Sequence, residues 1–105
     1  MIEHIGKIED DKSLLDEPQV VICGCGRIGK KVLTFLESNL ENKEIVFCDV
    51  DEKKQGTKES GIDIISYEEA IESYHDACFV IANLQVRVVM EKLIDADIKI
   101  IHIVR

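Results

Sequence analysis

The chain has 105 residues, 46% of them hydrophobic, which is one domain with enough apolar material for a core. Its net charge of −8 argues against nucleic acid or an anionic membrane surface as partner. No apolar run approaches the length of a membrane span, and Met1-Ile2-Glu3-His4 lacks the basic and apolar regions of a signal peptide, so a soluble cytoplasmic protein is expected.

Residues 1–18 are polar and acidic, with Ile2, Ile5, Ile8, Leu14 and Leu15 the main apolar positions. The isoleucines do not alternate as in a strand, so this segment reads as an N-terminal arm or short helix outside the main sheet. Residues 19–105 then form the domain proper. Gln19–Cys23 is almost wholly apolar, as a central parallel strand buried on both faces requires. It runs into Gly24-Cys25-Gly26-Arg27-Ile28-Gly29, a GxGxxG turn, and a helix to about Leu40 follows, with Ile28, Val32, Phe35, Leu36 and Leu40 on one side. A second strand, Glu44–Asp49, ends on an acid 20 residues past Gly29.

Strand, glycine turn, helix, strand and acid together make the dinucleotide-binding fingerprint. Gly24 permits the tight turn. Gly26 leaves room for a pyrophosphate against the backbone, and Gly29 lets helix and strand pack closely. The helix N-terminus offers free N–H groups and a positive dipole end to phosphates. Asp49 is placed to accept hydrogen bonds from ribose hydroxyls. Its charge, with Asp51 nearby, disfavours the 2′-phosphate of NADP, so NAD is the expected cofactor. Lys53 and Lys54 are the residues that speak the other way.

A charged turn from Val50 ends at Gly56. Ile62–Ile65 is a short third strand, and Ser66 with Glu69 starts a brief helix over Tyr67–Ser73. Ala77–Ala82 is a fourth buried strand with Asn83 at its carboxyl end, either as a cap of the helix over Val86–Ala96 or as a hydrogen-bonding group beside the nicotinamide-side ribose. The last strand is Lys99–Val104. The alternation predicts an α/β, doubly wound, Rossmann-like fold with a five-stranded parallel sheet in the order 3-2-1-4-5. With no helix after the fifth strand, Ile98, Ile100, Ile101, Ile103 and Val104 need cover from the arm or from a second copy, which makes a homodimer an expectation.

The expected cofactor-binding set is Gly24, Cys25, Gly26, Arg27, Ile28, Gly29, Asp49, Val50, Asp51 and Asn83. No catalytic residue and no metal site is expected. Tyr67 and Tyr74 lack a lysine four residues on, and His4, His75 and His102 have no visible partner in the sequence. Cys23, Cys25, Cys48 and Cys78 match no zinc spacing and read as reduced core thiols. A redox role for Cys25, beside a helix N-terminus, is the minor alternative. A methyltransferase is disfavoured because Ile22 stands where such sites carry an acid. Nothing holds a substrate over a nicotinamide, so the chain reads as a binding module with an accessory or regulatory role.

Two resemblances bear on that role. Gly24-Cys25-Gly26-Arg27-Ile28-Gly29 with Asp49 resembles the nucleotide-binding domains of potassium-transport regulators of the TrkA-N or RCK type, which implies a ligand-sensing domain for NAD(H) or a related adenine nucleotide. Asp49 to Gly56, followed by Gly61 to Glu69, resembles the Rossmann modules of bacterial surface-polysaccharide biosynthesis. That likeness implies a nucleotide or nucleotide-sugar ligand and a missing partner domain, as in a sugar-nucleotide oxidoreductase or epimerase.

Overall fold

The computed structural model describes residues 1–105. In chain order the elements are β1 (Ile2–Gly6), β2 (Gln19–Cys23), α1 (Arg27–Leu36), β3 (Glu44–Cys48), β4 (Lys58–Glu59), β5 (Ile62–Ile65), α2 (Tyr67–Ser73), β6 (Cys78–Ile81), α3 (Val86–Asp95) and β7 (Ile100–Val104). The strands form one sheet in the order β1-β7-β6-β2-β3-β5-β4. All neighbours are parallel except β4, which is antiparallel to β5. The all-apolar run Val20–Cys23 holds the centre, in register from Gln19 opposite Glu44 to Cys23 opposite Cys48. No helix is long and apolar enough to cross a membrane.

The sheet therefore has seven strands where the sequence reading has five. Both additional strands are hidden by local irregularity. In β1, Ile2 faces Ile101 while His4 faces His102, so one extra residue is inserted on the β1 side. This bulge breaks the period-two pattern of the isoleucines and disguises the strand as an arm. β4 has only two residues and reaches β5 through Ser60 and Gly61, whose φ angles of 54° and 80° are the paired positive values of a two-residue hairpin loop.

The two faces carry separate cores. On one, α1 packs Val32 and Leu36 with Val20, Ile22, Phe47 and Val80. On the other, α2 and α3 pack Tyr67, Ala70 and Leu93 with Val21, Cys23, Phe79 and Ile101. The helical turns at Ile8–Asp10 and Lys12–Asp16 bring Ile8 and Leu14 over Ile100 and Val104, beside α1. This segment covers the face of β7 that the sequence leaves bare, which removes the reason from which a homodimer was expected. Lys43 Nζ donates to the carbonyls of Leu15 and Glu17, and Asn39 donates to Leu15 O at 2.6 Å, fixing the end of the segment.

His102 of β7 is buried and donates from Nδ1 to Asp11 Oδ2 at 2.7 Å; both residues are 1% exposed. Ser13 Oγ donates to Asp11 Oδ1 at 3.3 Å, and the His4 ring stacks on His102 with centroids 6.3 Å apart. His102 thus has the carboxylate partner that sequence separation concealed.

Candidate functional site

The carboxyl ends of β2, β3 and β6 meet at one crevice, where α/β sheets hold their ligands. The glycine turn forms its floor. Gly24 has φ 112°, and its N–H donates to Cys48 O at 2.8 Å. A β-carbon there would stand 2.9 Å from Ala82 O. A β-carbon on Gly29 would stand 1.9 Å from Gly24 O, so α1 sits on the turn at a distance only glycine permits. Gly26 differs from both: its β-carbon would meet no atom within 4 Å. It is the N-cap of α1 without a side-chain cap, so the first-turn N–H groups remain open at the crevice.

Asp49, just beyond β3, faces the same cavity. Its Oδ2 accepts from Cys25 N–H at 3.0 Å and its Oδ1 from Asp51 N–H at 3.0 Å. The carboxylate therefore fastens the glycine turn to the end of β3. Each oxygen keeps one lone pair for a ligand. Gln55 Nε2 donates to Asp49 O at 2.9 Å, closing the loop beneath. Asn83 Oδ1 accepts from Gln85 N–H at 2.9 Å, a local turn that sets the start of α3. Its Nδ2 lies 3.4 Å from Tyr67 Oη.

The cavity between these elements measures about 900 Å³. Gly24 to Ile28, Asp49, Val50 and Asn83 line it. Gly29 does not, being buried under the turn, and exposed Asp51 does not either. Arg27 stands in the expected cofactor-binding set, whereas Lys31, Lys54, Lys92 and Arg105 are wall residues outside it. Arg27, Lys31, Lys54, Lys92 and Arg105 line the cavity, five of the chain's 13 basic side chains, against only Asp49 of its 21 acidic ones. Lys31 also bonds Glu9 at 2.9 Å, and Lys92 Nζ sits 5.3 Å from the centre of the Tyr67 ring. Three apolar side chains edge the mouth while largely in water: Val50 at 71%, Leu84 at 91% and Val88 at 58%. The available signal was compositional, since Lys54 lies in the charged turn after Asp49 and Leu84 follows Asn83 in the loop before α3.

The cysteines are all free and buried. Burial pushes the Cys25 thiol up, with Glu59 adding to the effect and Lys54 opposing it. A thiolate at Cys25 is thus disfavoured despite the adjacent helix N-terminus, and the redox alternative loses its basis. Burial raises Cys23 well above the ordinary thiol value of 9.0, helped by Cys48, and raises Cys78 from the same value. Thiols held neutral in the folded state and ionised in the unfolded chain stabilise the fold fully below pH 9 and progressively less above it. Each contributes a slope of about 1.4 kcal/mol per pH unit over that range. Urea melts from pH 8 upward are expected to show this decline, and Cys78→Ala is expected to make it shallower.

No cluster of His, Cys, Asp and Glu side chains could hold a metal ion. The fold, the crevice and the glycine turn define a Rossmann-like nucleotide-binding module. The profile of the CoA binding domain family matches residues 16–105, and the chain belongs to that family. Neither the curated proteins nor the solved structures provide a match.

Proposed function

We propose that this domain binds an adenosine diphosphate ligand, NAD(H) or a coenzyme A-type nucleotide, and serves as an accessory or ligand-sensing module. The charge contrast carries the reading: on a protein of net charge −8, one crevice gathers five cations and a single acid. Such a local inversion concentrates a polyanion against the field of the rest of the surface. The diphosphate would rest over Gly26, where a β-carbon would occupy its space, with Arg27 and the α1 N–H groups as donors. The adenosine would lie along Asp49 and Val50, and the rest of the ligand along Asn83, Leu84 and Val88.

Titration with NADH, followed by its fluorescence, and with ADP and coenzyme A, followed by calorimetry, tests this. Saturable binding that weakens with salt is expected for at least one of them, and Arg27→Ala is expected to weaken it about tenfold. No saturable signal with any of the three would sink the reading.

One observation favours a second reading, in which the module belongs to a sugar-nucleotide oxidoreductase or epimerase. The exposed apolar mouth of Val50, Leu84 and Val88 would suit a catalytic domain closing over the crevice. That reading predicts that a UDP- or GDP-sugar competes with NADH for the crevice.

A further inference from the structure

We propose that Glu9 is an internal competitor for the crevice: its carboxylate occupies Lys31 in the ligand-free protein and is displaced when a phosphate takes that cation. The inference rests on the nucleotide reading above and adds to it a means by which the N-terminal segment regulates the site.

α1 carries Arg27 and Lys31 four residues apart, which places them on one side of the helix. Both line the cavity. Like charges at this spacing repel one another, so the two together form a seat for an anion. The anion that Lys31 takes comes from the N-terminal segment. Glu9 Oε1 lies 2.9 Å from Lys31 Nζ, and Glu9 is not itself a lining residue. The ion pair therefore ties a crevice cation to a group outside the crevice. The Lys31 hydrogen bond, with one from the backbone, lowers the Glu9 carboxyl below its ordinary value of 4.5, so the competitor is ionised at neutral pH.

Glu9 sits on the helical turn Ile8–Asp10, which is fastened to the same rim. Ile8 N–H donates to Arg105 O at 3.3 Å, and Arg105 N–H donates to Gly6 O at 3.1 Å. Arg105 is a lining residue.

Relative strengths decide what a ligand moves. The Lys31 and Glu9 side chains are 51% and 56% exposed, so their ion pair is weak and screened. The buried side chains of Ile8 and Leu14 hold the segment far more strongly. A phosphate thus takes Lys31 from the Glu9 side chain and leaves the segment docked. The competition lowers ligand affinity by about threefold, the scale of an exposed ion pair. By linkage, any event that withdraws or neutralises Glu9 raises affinity by the same factor.

The test is calorimetric titration of the full chain with ADP, NADH and coenzyme A. The proteins are the wild type, Glu9→Gln, Lys31→Met, their double variant, and Asp10→Asn, which removes the neighbouring exposed charge. Glu9→Gln is expected to tighten binding about threefold, with stability in urea unchanged, as for other surface substitutions. Asp10→Asn is expected to leave binding unchanged within about 1.5-fold. In the Lys31→Met background, Glu9→Gln is expected to gain nothing. If Glu9→Gln binds no tighter than the wild type, gains as much without Lys31, or is matched by Asp10→Asn, the competition is wrong while the nucleotide reading stands. If neither the wild type nor Glu9→Gln binds any of the three ligands, the nucleotide reading fails and takes the inference with it.

Discussion

Gly29→Ala is expected to destabilise the domain by at least about 4 kcal/mol, enough to leave much of the chain unfolded at room temperature. The added methyl would lie 1.9 Å from the carbonyl oxygen of Gly24 and 3.4 Å from Phe47. A backbone oxygen cannot turn aside as a side chain does, so α1 would have to lift from β2. That movement would open the core formed by Val32, Leu36, Ile22 and Phe47. It would also strain the Cys25 N–H bond to Asp49. Gly26→Ala is the informative companion, since its methyl would enter open space. Stability is expected to change by less than about 1 kcal/mol, the scale of an N-cap exchange, while nucleotide binding falls sharply because the methyl occupies the phosphate position. Urea melts of both variants, with ADP titration of the folded one, check the pair. A folded Gly29→Ala of wild-type stability would overturn this account of the helix and turn.

Those two glycines show which features of the fold are legible in the sequence. The GxGxxG spacing defines a backbone route, and a route is set by the residues that lie on it. The apolar runs of β2 and β6 are likewise local, because a strand buried on both faces has no polar residue to spare. The losses came where local pattern and tertiary structure diverge. The bulge between Ile2 and His4 destroys the alternation of β1, so a strand held by β7 reads as an arm. β4 is too short to have a period at all. In the site, residues contributed by the glycine turn were legible because the motif carries them. Lys31 and Lys92 were not, since each belongs to a helix whose outer face also needs charge. Only the folded chain brings them to the crevice that Arg27 and Lys54 share. The pairing of Asp11 with His102 lies furthest out of reach, because 91 residues separate the partners.

That pairing leads to the second large effect. Asp11→Ala is expected to cost about 3–4 kcal/mol, the range for removing one member of a buried polar pair. The cost arises because His102 would keep its Nδ1–H in a site 1% exposed, with no acceptor in place of Asp11 Oδ2. Asp11→Asn retains an acceptor at that position and is expected to lose only about 1–2 kcal/mol. Replacing both partners, as Asp11→Leu with His102→Phe, is expected to recover much of the loss, since two apolar groups in this core leave no polar atom unsatisfied. The damage should also be local. Asp11 joins the turns that carry Ile8 and Leu14, and these cover Ile100 and Val104 on β7. Loosening them uncovers the peptide at Lys12, so limited trypsin digestion of Asp11→Ala is expected to cut there sooner than in the wild type. A single-variant cost below about 1 kcal/mol, with unchanged digestion, would mean that the apolar contacts of Ile8 and Leu14 hold the segment without the polar pair. The double-mutant cycle separates the two contributions, because Ile8 and Leu14 are the same in every member of it.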